Sequence, residues 1–350
     1  MINTPFIRFF CLRLFIFSTP MIVVFAFPFV VLWQSGEILP VDQIIQKQQH
    51  SDRTVIVGLA YSNPEKYFKL HSLIERRSNV VVFGNSHVMP FREEFFKGIS
   101  FYNAAVGGSR LPDFEKFVEH IPDGKEPKVL IAGLDAFFAQ PNFEWSQKEE
   151  DRFDRKSGLL DSLRILGTSW KNIYRDYLQK KFFLRQLIGA RQKSETMIGV
   201  EAIVHGTGFR KDGSHLKNKE PGIFSGNSED YSRLKKAESF DIHGLSLLES
   251  FLDECHRRGI YVIGFLPPTR QAVYDRLHLS GYRYWEELPQ KLEPLFKKYG
   301  FSLYDFSIPK FYGGDESEFY DDFHASDKAY RRVASQLFQR DKTLAALSKN

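Results

Sequence analysis

The longest apolar run comes first. From Leu14 to Trp33 the chain carries only apolar residues, Ser18, Thr19 and two prolines, with no charge over 20 positions. At about 1.5 Å per residue, a helix of that length crosses the ~30 Å hydrocarbon core of a bilayer. Pro20 and Pro28 are tolerable there, because freed carbonyls in a membrane helix find other partners. Compact apolar runs then alternate with helical ones. Asn79–Phe83 (NVVVF) is continuous and β-branched, as expected of a strand buried on both faces. Ser100–Ala105, Lys128–Ala132 (KVLIA), Ile260–Leu266 (IYVIGFL) and Phe301–Phe306 predict four more strands. Leu245, Leu248, Leu252 and Cys255 recur at helical spacing, and Gly259 ends that helix. Further helices are predicted near 287–299 and over Asp327–Leu347.

Strands separated by helices imply an α/β fold, a parallel sheet in a three-layer domain with right-handed crossovers. The alternation stops between about 141 and 240. That stretch has helical segments near 159–166 and 170–188 and a Gly/Lys/Ser-rich run from Gly206 to Ser228, and it reads as a mainly helical insertion over the sheet's edge. The expected plan is a cytoplasmic tip and anchor over 1–36, a juxtamembrane segment over 37–75, the α/β domain over 76–140 and 241–350, and the insertion over 141–240.

Composition changes this picture in three places. The 43% hydrophobic and 26% charged content is that of a globular chain, and a net charge of +5 is too diffuse to imply nucleic acid. Between Leu163 and Glu220, however, 12 Lys/Arg stand against 5 Asp/Glu, a surface that suits an anionic glycan, a lipid headgroup or a solvated helical face. Cys11 and Cys255 offer no disulfide framework and no cysteine metal site, and chemistry carried by side chains alone, which needs neither metal nor organic cofactor, is expected. Arg8 and Arg13 precede the apolar run, and the positive-inside bias puts the N-terminus in the cytoplasm and everything after Gln34 outside. No A-x-A cleavage signal follows it. An uncleaved single-pass anchor in the inner (cytoplasmic) membrane is therefore expected, with the main domain periplasmic.

Open parallel sheets bind ligands at the carboxyl ends of their strands. The first strand runs into Gly84-Asn85-Ser86-His87, a strand-to-helix turn that would expose the Ser86 hydroxyl at a helix N-terminus; Ser86 could equally be a helix cap. After the second strand comes Asn103-Ala104-Ala105-Val106-Gly107-Gly108-Ser109, whose glycines allow close approach of a backbone N–H to an oxyanion. Gly133-Leu134-Asp135 follows the third. For the base, an aspartate three residues before a histidine can hold the imidazole's orientation. Four pairs have that spacing: Asp212/His215, Asp253/His256, Asp275/His278 and Asp321/His324. Two fall on helices and one in the insertion. Only Asp321/His324 lies between the last strand and the last helix, on the edge that holds Ser86.

Strand–Gly-Asn-Ser-His, Asn-Ala-Ala-Val-Gly-Gly and a late Asp-x-x-His together resemble the SGNH (GDSL-like) hydrolase superfamily, whose domain is flavodoxin-like. The anchored, interrupted layout is similar to its membrane-anchored, extracytoplasmic branch associated with polysaccharide O-acylation, in the manner of alginate acetylation or D-alanylation. The resemblance covers roughly 77–140 and 241–345. It implies Ser86 as nucleophile and oxyanion donor, Gly108 as second donor, Asp321 as orienting acid and His324 as base. Asn85 stands where the family usually has Asp, and Asp135 where it supplies an Asn donor; an ionised carboxylate would repel an oxyanion, so Asp135 is expected to point elsewhere. The implied activity is acyl-ester chemistry, as O-acetyl transferase or esterase, on a cell-envelope or exported polysaccharide, with a membrane-bound acyltransferase as possible partner. The alternatives are an inactive glycan-binding or assembly subunit of an O-acylation system, and an esterase acting on lipid.

Overall fold

The structure, a computed structural model, describes residues 4–62, 65–108, 110–135, 138, 153, 159–189, 196–222, 242–281 and 284–348. Ser109 and much of the expected insertion, including 141–152 and 223–240, lie outside them. The chain divides into two compact units, Met1–Asn63 with Lys156–Gly208, and Pro64–Arg155 with Phe209–Asn350.

The first unit contains α1 (Thr4–Ser35), α2 (Val41–His50), β1 (Ile56–Val57), α5 (Leu159–Leu178), α6 (Leu184–Gly189) and β5 (Met197–Ile198). Within α1, Ile7–Ser35 is long and apolar enough to cross a membrane. β1 and β5 pair in parallel. Val31 and Leu32 of α1 are buried with Ile165, Ile173, Phe182 and Leu187. Glu37 closes the unit: its buried carboxylate accepts the N–H groups of Ala60 (3.0 Å), Tyr61 (2.8 Å) and Val200 (2.8 Å). The two helical stretches expected in 159–188 are divided differently. α5 runs unbroken through the expected gap, where Thr168 turns its hydroxyl back to Arg164 O (2.9 Å). It ends where Lys180 takes φ +58° and Lys181 N–H returns to Asp176 O (3.0 Å), a helix stop made without glycine.

The second unit runs α3 (Glu65–Arg76), β2 (Val80–Phe83), β3 (Phe101–Asn103), α4 (Leu111–Glu119), β4 (Val129–Gly133), α7 (Ile242–Arg257), β8 (Tyr261–Leu266), α8 (Gln271–Leu279), α9 (Tyr284–Lys298), β9 (Ser302–Asp305), α10 (Asp327–Arg340) and α11 (Lys342–Leu347). Two-residue strands β6 (Gly208–Phe209) and β7 (His215–Leu216) precede α7. Five strands form one parallel sheet in the order β3-β2-β4-β8-β9. Counted along the chain within the sheet this is the doubly wound order 2-1-3-4-5, with its switch point between β2 and β4.

Strand alternation sorts the core into two layers. Val81, Phe83, Leu130, Ala132 and Val262 face Phe114, Phe117, Phe251 and Phe296 of α4, α7 and α9. Val80, Val82, Val129, Ile131 and Ile263 face Tyr330, Val333 and Leu337 of α10. Because both faces are covered, the strands read as unbroken apolar runs.

Three expectations are corrected here. α3 packs in this unit, not in a juxtamembrane segment. Residues 209–222 belong to it as well, although the expected insertion included them. Asp212 and Ser214 are buried, and Asn103 N–H donates to Asp212 O (2.8 Å). The C-terminal helix is two helices: buried Asp341 caps α11 through Leu344 N–H (2.9 Å) and receives the hydroxyls of Tyr261 and Tyr304 (3.3 and 3.2 Å), so its side chain stops one helix and starts the next.

Candidate active site

β2 ends at Phe83 and the chain turns sharply. Gly84 sits at φ +149°, where a Cβ would lie 3.1 Å from Gly133 O, so this position requires glycine. Asn85 then caps a 3₁₀ turn, Ser86–Val88, its Oδ1 accepting His87 N–H (2.9 Å). The turn leaves Ser86 half-buried at the carboxyl edge of the sheet.

From the other side comes the loop between β9 and α10. Phe319 and Ala325 form an antiparallel bridge, and Tyr320 N–H donates to His324 O (2.8 Å), which clamps the loop at both ends. Inside it, Asp321 Oδ1 accepts the N–H groups of Phe323 (3.0 Å) and His324 (2.9 Å), and both carboxylate oxygens lie 2.9 Å from His324 Nδ1. His324 Nε2 lies 2.9 Å from Ser86 Oγ. Burial pushes the Asp321 carboxyl up, but the His324 bond and charge and the two backbone N–H groups outweigh it and hold it well below the usual carboxylate range. Burial pushes the His324 imidazole below its ordinary value, against an opposing pull from Asp321. The arrangement is an ionised acid, a neutral base with its Nδ1–H on that acid, and a hydroxyl whose proton the base can take.

The remaining candidate residues gather beside Ser86. Asp135, at the end of β4, is buried; its Oδ2 accepts Asn85 Nδ2 (2.6 Å) and meets His87 Nδ1 (2.8 Å). The carboxylate therefore points at the two residues flanking Ser86. The His87 ring stands edge-on to His324, centroids 5.0 Å apart. Gly108 is buried with Phe83 pressed against it, a Cβ there meeting the ring at 2.2 Å. Packing alone thus demands a glycine at 108, independently of any oxyanion role. Its neighbour Val106 holds φ +61°, an outlier for a β-branched residue, with its N–H on Gly84 O (2.8 Å). Such strain costs on the order of 1–3 kcal/mol and gathers at functional sites.

Three residues escaped sequence reasoning. Fully buried Asn103 gives its amide to Val88 O, Met89 O and Phe91 O (2.9, 3.1 and 2.9 Å) and accepts Ala105 N–H (2.9 Å), tying the Ser86 turn to the end of β3. A polar residue ending an apolar strand was the available signal. Lys217 rests over the Tyr320 ring at 4.4 Å; burial lowers its pKa while Asp321 opposes that shift. Lys69 is fully buried, its ammonium on Asn103 O and Gly213 O and 3.8 Å above the Phe209 ring; burial lowers it to about 7.

The other Asp-x-x-His pairs do not assemble in this way. Asp212 is taken by Ser214 and Glu93, Asp275 by Gln271, His278 meets Glu286, and His256 lies by Tyr299 and Phe301. Among the described residues no group of three or more His, Cys, Asp or Glu could hold a metal ion. Compared with known protein families and with curated proteins, the chain matches none.

Proposed function

We propose that this chain performs acyl-ester chemistry with Ser86 as nucleophile, on a cell-envelope or exported polysaccharide, while α1 holds it in the inner membrane. The observation that carries the reading is the continuous path Ser86 Oγ–His324 Nε2 (2.9 Å) and His324 Nδ1–Asp321 (2.9 Å). Ser86 Oγ attacks the ester carbonyl as its proton passes to His324 Nε2. The tetrahedral intermediate collapses, the alcohol leaves with that proton, and an acyl-Ser86 ester remains. His324 then takes a proton from a sugar hydroxyl or from water, whose oxygen attacks the acyl carbonyl, and returns that proton to Ser86 Oγ as it leaves. Asp321 stays ionised and stabilises the imidazolium. The polysaccharide acceptor and a membrane-bound acyltransferase supplying the acyl group come from the resemblance in the motifs.

A second reading, a glycan-binding subunit without turnover, is favoured by one observation. Buried Asp135 sits among the groups flanking Ser86, where an amide would assist an oxyanion better than a carboxylate. A fluorophosphonate probe separates the two. Labelling at Ser86 together with acetyl-ester turnover supports the enzyme; folded protein that neither labels nor turns over any acyl ester supports the binding subunit.

A further inference from the structure

The first unit carries a surface that Ser86 chemistry does not use. α5 runs along α1 in the opposite sense. Near its start, Ser162 Oγ donates to Ile38 O (2.7 Å), beyond the apolar run; near its end, Tyr174 Oη donates to Val24 O (2.7 Å), within it. Trp170 stacks near Phe25 (6.1 Å), and Tyr174 and Tyr177 pack on Phe27 (5.1 and 4.9 Å). The apolar helix Ile7–Ser35 has 29 residues. At 1.5 Å per residue it is about 43 Å long, more than the ~30 Å hydrocarbon core. Its side chains are almost all exposed up to Ala26, whereas Val31 and Leu32 are packed in the unit; this puts the excess at the outer end and moves the lipid-facing stretch N-terminal of the expected Leu14–Trp33. Val24–Phe27 lies about 9–14 Å below Trp33 along that axis. Whatever packs on Val24–Phe27 shares its level.

What α5 and α6 present there is apolar and basic. Leu178, Phe183 and Ile188 are exposed (75%, 42% and 54%), while Phe182 and Leu187 beside them are buried against Val31 and Leu32. Between Lys171 and Ile188 five basic residues, Lys171, Arg175, Lys180, Lys181 and Arg185, accompany a single acid, Asp176. Aromatic and aliphatic tips interleaved with lysine and arginine are the composition of an element lying in a membrane interface, with apolar tips in the acyl boundary and cations among anionic headgroups.

We propose that the α5–α6 hairpin is a second, monotopic membrane contact, seated in the leaflet at the outer end of α1 and binding anionic phospholipid headgroups through Lys180, Lys181 and Arg185. The proposal rests on the reading of α1 as a membrane anchor. Lipid is its occupant because the surface continues the exposed, apolar side of α1 through Phe25 and Phe27.

Depth-dependent quenching tests it on the full-length chain in lipid nanodiscs. Cys11→Ser leaves only buried Cys255, and single cysteines carrying an environment-sensitive fluorophore replace Leu178, Phe183, Phe17 or Asp52. Labels at 178 and 183 should be quenched by doxyl groups near the lipid carbonyls and protected from aqueous iodide. Phe17 should respond to deep doxyl groups, and Asp52 to iodide alone. Spin-labelled phosphatidylglycerol should associate several-fold more than phosphatidylcholine. Lys180→Glu, Lys181→Glu and Arg185→Glu together should abolish that preference, each cation near the surface being worth about fivefold. Iodide quenching at 178 and 183 with lipid quenching at 17 overturns the proposal and leaves the anchor standing. Iodide quenching at 17 as well overturns both. Labels at 178 and 183 shielded from iodide and lipid alike would mean a protein partner instead, and equal association of the two lipids overturns the headgroup assignment.

Discussion

Loops 210–215 and 320–324 have the same spacing and opposite outcomes. In each, an aspartate three residues before a histidine folds over the following turn. Asp212 Oδ1 accepts both the N–H and the hydroxyl of Ser214 (3.0 and 2.6 Å), and Oδ2 accepts Glu93 N–H (2.9 Å). Its carboxylate is filled, and the His215 ring turns to Phe209, 5.2 Å away. At the corresponding place Asp321 is followed by Phe323, which has no hydroxyl, so the carboxylate stays open to the imidazole. The electrostatics diverge accordingly. Burial takes His215 down to about 4, with Lys69, Lys217 and Arg210 pushing the same way, whereas Asp321 holds His324 up against burial. In this chain the Asp-x-x-His pattern forms a dyad where the residue two after the aspartate brings no hydroxyl to the carboxylate.

Substitutions can break or sharpen this contrast. The largest effect is expected at Ser86→Ala, which should abolish fluorophosphonate labelling and acetyl-ester turnover while circular dichroism stays unchanged; His324→Ala should come close. Asp321→Asn should lower kcat by about 10³–10⁴-fold, the scale of losing the acid that orients a triad base. Asp212→Asn, its counterpart, should leave kcat within about threefold and instead cost about 1–3 kcal/mol in denaturant unfolding, because buried bonds are lost. Phe323→Ser transplants the competing hydroxyl, and about a tenfold fall in kcat is expected as it draws Asp321 from His324; an unchanged rate would refute the explanation just given. Asp135→Asn keeps an acceptor oxygen for Asn85 and His87 and removes the charge. A working enzyme should change by less than about tenfold, about 1.4 kcal/mol of barrier; a wild type without turnover should gain it.

The smallest effect is a position on the pH axis. The proposed catalysis needs neutral His324, whose pKa burial lowers from the ordinary imidazole value. kcat/KM should therefore be flat near neutrality and fall on acidification through a midpoint below that of an ordinary imidazole. In Asp321→Asn the carboxylate no longer raises that pKa, so the midpoint should move lower still. A wild-type midpoint above the ordinary imidazole value would contradict the burial argument.

What could be read in advance divides along the same line. The five sheet strands were legible because a strand covered on both faces leaves an unbroken apolar run. That Ser86, Asp321 and His324 meet was legible because the parallel-sheet rule gathers strand-end loops at one edge. The stop at Lys180 was hidden, since positive φ there occurs without glycine, and so was the break at Asp341, set by a buried cap whose partners come from β8 and β9. Asn103 and the Asp135 contacts were hidden for a related reason: a buried polar side chain is explained by partners distant in sequence, and spacing carries no trace of them.

Glu37 gives the chain a timetable. Its bonds to Ala60 and Tyr61 can form as soon as that segment leaves the ribosome, but the bond to Val200 joins residues 163 positions apart. At synthesis rates of about 5–20 residues per second, that interval lasts roughly 8 to 33 s. For most of it the unit lacks the helices of 159–189, and until its end it lacks β5 and the last N–H donor. On the proposed reading of α1, the nascent chain therefore carries its anchor well before it has a finished base, and the entire span from α3 to β4 emerges in between.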